Sequence, residues 1–311
     1  MRKVLLVILT SMTAACGGGG TNSAGSMPPL PPAPQTPTEV ARQVPVNSSF
    51  DALTVAETFN TVASTARANL DANGAVTGIA TTQAGFKSDV TIAYNPANQS
   101  YTVSTARGGI NNQTTFTSAD SDSSPAGILT YSKSISPTEG AQLLLTKPSG
   151  LHYSALGTWT DGSESSSGAL VQASIFAFGQ ETAFVSLPKT GSATYQLLVA
   201  GIGREGAVPY GIGGVGTASV NFSNASLAAD LRAGLYDGNG NIVSTQTLTG
   251  TATIASDFAR FAGSLQGTVN GTPVTGPMNG AFFGPAAEEI GGSFKVTGGQ
   301  FEAVGGFVGV K

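Results

Sequence analysis

From about residue 190 to the C-terminus the chain alternates apolar and polar residues with a period of 2, and no other feature narrows its fold so far. In SLAADLRAGLYD, Leu227, Ala229, Leu231, Ala233 and Leu235 share one parity while Asp230, Arg232 and Tyr236 take the other. In VSTQTLTGTATI the threonines Thr245, Thr247, Thr249, Thr251 and Thr253 oppose Leu248, Gly250, Ala252 and Ile254. RFAGSLQGTVN sets Phe261, Gly263, Leu265, Gly267 and Val269 against Ala262, Ser264, Gln266 and Thr268. TYQLLVAGI, TASVNF, MNGAFFG, EIGGSFKVT and FEAVGGFVGVK keep the same rhythm, which predicts eight strands.

Turn chemistry separates these strands. Asp237-Gly238-Asn239-Gly240-Asn241 and Asn270-Gly271-Thr272-Pro273 carry residues that tolerate positive φ, and Asn224 closes another short link. Consecutive strands joined by short loops pair antiparallel. Eight of them can close into a barrel that leaves no open edge and whose interior is filled by side chains. A membrane-spanning barrel would show the same alternation with the faces exchanged, but it needs two aromatic girdles. The only tryptophan, Trp159, lies outside this region, and its tyrosines are Tyr195, Tyr210 and Tyr236. A filled barrel outside the bilayer is therefore expected.

The other end of the chain reads as an export address. Met1-Arg2-Lys3 is basic, VLLVILT (4–10) is apolar, and Thr13-Ala14-Ala15 supplies small residues before Cys16, the single cysteine. This resembles a bacterial lipoprotein signal peptide (1–15), which implies that Cys16 is lipidated and forms the mature N-terminus. Ordinary secretory cleavage beside an incidental cysteine is the alternative. Residues 16–48 are Gly/Ser-rich and then Pro-rich, too poor in apolar residues to fold, and are expected to act as a tether. As a flexible coil its roughly 32 residues reach about 30 Å. Gly17 stands where an inner-membrane retention signal carries Asp, which favours the outer membrane.

Residues 49–180 are strand-rich but less regular. VTIAYNPANQSYTV (90–103) predicts a hairpin turning at Asn95-Pro96, and GILTYSK, AQLLLT, LHYSALGTW and LVQASIFAFG predict further strands. TVAETFNTVASTARANLD (54–71) has a helical composition weakened by β-branched residues. The fold class expected is all-β, an eight-stranded antiparallel barrel (181–311) preceded by a smaller β-rich domain (49–180).

No chemistry follows from the motifs. In FFGPAAEEIGGSF, Phe282, Ile290, Gly292 and Phe294 take the inward parity, and Gly284-Pro285-Ala286-Ala287 connects two strands. Glu288 and Glu289 are adjacent on the second strand and point to opposite faces, so they cannot flank one bond as acid and nucleophile. Both are expected to be dispensable surface residues, and Gly292 to be structurally demanding. Gly211, Gly213 and Gly216 satisfy G-x-G-x-x-G, but a strand follows instead of a helix, which predicts a glycine loop. Asp237, Asn239 and Asn241 imitate a calcium loop, yet Ile242 and Leu248 stand where Gly and Glu are required. His152, the only histidine, is expected on a strand surface, and Asp120 and Asp122 in a solvated loop. One cysteine and one histidine build no multi-ligand metal site. The net charge of −4, without a basic run after residue 3, gives no footprint for nucleic acid. No cofactor is expected, and the chain is not expected to be an enzyme.

MNGAFFGPAAEEIGGSF followed by a terminal strand ending GGFVGVK resembles the C-terminal signature of the transferrin-binding protein B β-barrel family, and ATYQLLVAGI and GTASVNFSNASLAADL resemble its opening strands. The resemblance covers about residues 181–311. LHYSALGTWTDG and FAFGQET are similar to the segments that lead from that family's handle domain into the barrel. It implies a lobe made of a handle (49–180) and a barrel, on a lipid-anchored protein of the outer membrane or cell surface. It further implies capture of a protein or small-molecule ligand through handle and barrel loops, a role in iron or haem acquisition, and an outer-membrane transporter as a partner. A structural or scaffolding lipoprotein without a soluble ligand is the alternative.

Overall fold

In a computed structural model the described residues are 49–87, 89–106 and 110–311. Eight strands close the barrel. They are β11 (Ser192–Glu205), β12 (Val208–Asn221), β13 (Ser226–Tyr236), β14 (Ile242–Ile254), β15 (Arg260–Val269), β16 (Thr272–Phe283), β17 (Glu289–Gly298) and β18 (Phe301–Val310). Each pairs antiparallel with the next, and β18 returns to β11 through the register Gln196↔Val310 to Glu205↔Phe301. The parity read from the sequence is the parity observed. Leu227, Ala229, Leu231, Ala233, Leu248, Ala252, Phe261, Leu265, Phe282, Ile290 and Phe294 share one core, while the threonines of β14 are solvent-exposed.

The preceding strands are β1 (Glu57–Asp71), β2 (Val76–Gln83), β3 (Val90–Asn95), β4 (Ser100–Thr105), β5 (Gln113–Phe116), β6 (Ser121–Asp122), β7 (Ile128–Ser134), β8 (Glu139–Thr146), β9 (Ser154–Ser165) and β10 (Gly168–Gly179). They form one antiparallel sheet in the order β5-β4-β3-β1-β10-β9-β8-β7-β6, with β2 added to the second half of β1. The sheet curls until its ends approach, and Lys133 on β7 donates to the Thr115 carbonyl on β5 at 2.6 Å. Phe59, Ile92, Val103, Phe116, Leu143, Trp159, Phe176 and Phe178 fill its inside.

Residues 57–71 form a strand, which corrects the helical reading of 54–71. Their small and β-branched side chains suit a strand buried on both faces. Phe59 and Ala63 face the interior of the sheet, whereas Val62 and Ala66 face the barrel. Two-sided burial removes the polar half of the alternation, so no period was visible.

The outside of the sheet packs on the outside of the barrel. Val62, Ala66, Leu156, Ala173, Ile175 and Ala177 meet Ile202, Val304 and Val308. Glycine lets the walls approach: a Cβ on Gly306 would lie 2.9 Å from a Leu156 methyl, and one on Gly291 would lie 2.8 Å from the Ala177 Cβ. Hydrogen bonds cross the same seam from Ser64 Oγ to the Gly305 carbonyl (2.9 Å), from Gln83 Nε2 to the Ser293 carbonyl (2.7 Å) and from Lys295 Nζ to the Thr81 carbonyl (2.9 Å).

Candidate binding surface

Glu289 corrects the expectation that both carboxylates of the last hairpin are surface groups. Its side chain does point away from the barrel interior, but there the N-terminal sheet covers β17, and Glu289 is 1% exposed. Its carboxylate accepts from the His152 amide, from the Tyr153 amide (3.1 Å to each oxygen) and from Ser154 Oγ (2.7 Å). Burial pushes its pKa up, and hydrogen bonds from His152, Ser154 and Tyr153 oppose that shift. Strand parity told inside from outside of the barrel, but not which outside is solvent.

Glu288 differs. It lies in the turn, accepts the Ala286 amide at 2.8 Å, and shares no site with Glu289. Gly292 points inward as expected, since an ideal Cβ there would sit 2.5 Å from the Phe307 ring and 2.6 Å from the Asn279 carbonyl oxygen.

His152 precedes β9 instead of lying on a strand. Its ring is exposed and meets the Asp51 carboxylate at 2.6 Å. Gly211, Gly213 and Gly216 lie within β12, not in a loop, because the wall there is crowded: a Cβ on Gly216 would meet the Asp230 carbonyl oxygen at 2.4 Å. Tyr236 covers Gly213 and Gly234 from outside, 3.3 and 3.2 Å from where their Cβ atoms would be. Asp120 sits in a short 3-10 turn, accepting from the Thr117 amide at 2.8 Å, and Asp122 is in the two-residue β6. Cys16 lies outside the described residues.

Asp161 is a functional-group candidate that the motifs do not single out. It is fully buried in the N-terminal sheet, and the Asn111 amide donates to one oxygen at 2.9 Å. Burial raises its pKa to about 6, against hydrogen bonds from Asn111 and the charge of Arg67. Among the described residues no group of three His, Cys, Asp or Glu side chains is placed to hold a metal ion. The barrel interior holds a cavity of about 20 Å³ between residues such as Ile212, Leu248 and Phe294. A shallow groove of about 720 Å³ runs over the outer face of β12 to β15 and is floored by short side chains such as Ser219, Ala228, Thr251 and Ser264.

What remains for recognition is the ends. The turns β11–β12, β13–β14, β15–β16 and β17–β18 close one end of the barrel. Asn270 plugs this mouth, donating to Glu205 at 2.8 Å and accepting from Ser244 at 2.9 Å and Gln246 at 3.2 Å. The β1–β2, β7–β8 and β9–β10 turns of the N-terminal sheet lie at the same end, because β1 runs past Gly305 at Ser64 toward the β17–β18 turn. Phe50, at the start of the described chain, lies at the opposite end, its amide bonded to the His152 carbonyl beside Glu289.

The family profile described as the C-lobe and N-lobe β-barrels of Tf-binding protein B matches residues 187–311. The barrel belongs to the transferrin-binding protein B family. Solved structures with a similar arrangement include a double mutant of transferrin binding protein B from Haemophilus parasuis Hp5, 18% identical over 80% of this chain and 44% of that one (TM-score 0.49). Isotype 1 transferrin binding protein B from serogroup B Neisseria meningitidis is 12% identical over 82% and 76% (TM-score 0.41). The N-lobe domain of lactoferrin binding protein B from Moraxella bovis is 12% identical over 81% and 98% (TM-score 0.35). This chain spans less than half of the Haemophilus protein. No curated protein matches the chain.

Proposed function

We propose that this protein is a lipid-anchored binding protein of the outer membrane, displayed at the cell surface, that captures a protein ligand through turns of the barrel and of the N-terminal sheet. The observation that carries this reading is a family barrel locked to a second sheet, with the barrel interior filled and no metal cluster among the described residues. A filled barrel offers its outer surface and its turns for recognition. The family matched over residues 187–311 is named for binding transferrin, which supports a protein ligand and, with it, the proposed role in iron acquisition.

Mass spectrometry of the mature N-terminus tests the anchor. Acylated Cys16 is expected, and an unmodified Cys16 or a different first residue removes that part of the reading. Binding of transferrin and lactoferrin to the immobilised full chain, followed by capture from the natural surroundings, tests the activity. A specific, saturable partner is expected; repeated failure favours a structural lipoprotein.

A further inference from the structure

Asparagine followed by glycine is prone to lose its side-chain amide, because the glycine nitrogen can reach the asparagine Cγ with no Cβ in the way. The sequence holds four such pairs, Asn73-Gly74, Asn239-Gly240, Asn270-Gly271 and Asn279-Gly280. All four share this local chemistry, so the fold decides which of them reacts.

Three are restrained. Asn279-Gly280 lies within β16, paired to both β15 and β17, and Gly280 is buried with the Phe261 ring against the place a Cβ would take. Asn270 is held on both sides of its carboxamide, Nδ2 donating to Glu205 at 2.8 Å and Oδ1 accepting from Ser244 at 2.9 Å and Gln246 at 3.2 Å. Asn239 bonds through its side chain to the Asp237 carboxyl, and β13 and β14, which carry its turn, each have a second neighbour in the closed barrel.

Asn73 escapes these restraints. It is exposed in the β1–β2 turn, and no hydrogen bond reaches its carboxamide among the described residues. No atom lies within 4 Å of where a Cβ on Gly74 would be. Attack requires the Gly74 amide to leave the Asp71 carbonyl, 2.9 Å away, so the turn must open. β2 permits that: it pairs with β1 alone, and its register shifts beside the turn, between Asn69 and Leu70. A strand with one neighbour opens locally at lower cost than one paired on both edges.

We propose that Asn73 is a self-modifying site whose only co-reactant is water. The Gly74 nitrogen gives its proton to a solvent base and bonds to Asn73 Cγ; the Cγ–Nδ2 bond breaks, and Nδ2 takes a proton and leaves as ammonia. The five-membered imide then takes up water at one of its two carbonyl carbons. Opening at the side-chain carbonyl leaves an aspartyl residue, and opening at the main-chain carbonyl leaves an isoaspartyl link that routes the chain through the side chain. Nothing is oxidised or reduced. Either product sets a second carboxylate two residues from Asp71. The isoaspartyl link also adds a methylene to the main chain, so Asp71 Oδ1 can no longer hold the amides of residues 73 and 75 together at 2.9 Å. The change loosens the end of a hairpin whose β2 strand is bonded to the barrel through Gln83 and Thr81.

The test incubates the full chain, folded and in urea, in mildly alkaline buffer and follows the four Asn-Gly peptides by mass spectrometry. Exchange of NH2 for OH marks conversion, fragmentation separates the two products, and the rates in urea remove the effect of local sequence. Relative to those rates, Asn73 is expected to convert at least about tenfold faster than Asn270, since one hydrogen bond to a charged partner is worth about that factor. It is also expected to lead Asn239 and Asn279. Asp71→Ala, which frees the turn, is expected to raise the rate at Asn73 several-fold and leave Asn270 unchanged; should that variant not fold, the wild-type ratios decide alone. Asn73 intact when the unfolded chain has converted, any of the other three leading, or a rate at Asn73 indifferent to Asp71→Ala overturns the proposal.

Discussion

The carboxylate of Glu289 on β17 accepts the amide of Tyr153 through both of its oxygens, 3.1 Å each, and so ties the last barrel hairpin to the start of β9. His152 and Ser154 donate to the same group. Removing it leaves buried donors without an acceptor, which costs more than the net worth of the bonds themselves. Glu289→Ala is therefore expected to destabilise the protein by roughly 3 kcal/mol in denaturant unfolding. Glu289→Gln keeps one oxygen and is expected to cost less. A Glu289→Ala protein with an unchanged midpoint would show that the seam holds without this clamp.

Asp161 predicts the pH dependence. Its pKa is raised by burial from 3.8 to about 6, so between those values the folded state binds more protons than the unfolded chain. Its contribution is fully present below about pH 4 and is lost as pH rises through about 6, an amount of order 2–3 kcal/mol. The raised Glu289 carboxyl acts in the same direction. Asp161→Asn, which keeps an oxygen for the Asn111 amide, is expected to flatten the profile between pH 4 and 7 and to stabilise the protein at pH 8. Urea unfolding across that range checks it; a variant whose profile runs parallel to wild type would exclude Asp161 as the titrating group.

Legibility followed one-sidedness. The barrel strands show solvent to one face, so Leu227 to Leu235 and the β14 threonines betray their orientation in sequence. The seam strands do not. Val62 and Ala63 are both buried, as are Ile175 and Phe176, because one face meets the sheet core and the other the barrel. Glu289 is hidden in the sequence for the same reason, since a carboxylate on an outward position looks like a surface group until a second sheet is laid over it. Asp161 shares parity with Trp159, which is inside, and that alternation was the available signal for its burial.

Gly292 carries a steric prediction. Its ideal Cβ would fall 2.5 Å from the Phe307 ring and 2.6 Å from the Asn279 carbonyl oxygen, and the latter belongs to the backbone of β16 and cannot swing aside. Gly292→Leu is expected to cost at least 1–3 kcal/mol, about the usual penalty of overpacking. Glu288→Gln, in the turn next to the same hairpin, is expected to change stability by no more than about 0.5 kcal/mol. Thermal unfolding of the pair orders them, and the reverse order would reject the inward placement of Gly292.

Two turns of the protein are built alike. Asp71-Ala72-Asn73-Gly74-Ala75 and Asp237-Gly238-Asn239-Gly240-Asn241 share the pattern D-x-N-G-x. In each, Asp Oδ1 accepts the amides two and four residues on at 2.9 Å, and the glycine holds a positive φ of 83° or 81°. The side chain satisfies amides that the turn leaves pointing inward, while glycine supplies the backbone conformation that other residues resist. Bonds from Asn241 and then Asn239 hold the Asp237 carboxyl below its usual range, so what it gives the turn is present above the unfolded pKa and lost as pH falls through the folded one. This sign is opposite to that of Asp161. Asp→Ala at either turn is expected to speed amide exchange at the two accepted positions, and Asp→Asn to restore most of the protection because an acceptor oxygen returns. Hydrogen exchange followed residue by residue decides it. Protection unchanged in Asp71→Ala and Asp237→Ala would mean that strand pairing alone fixes these turns and that the shared pattern has no structural role.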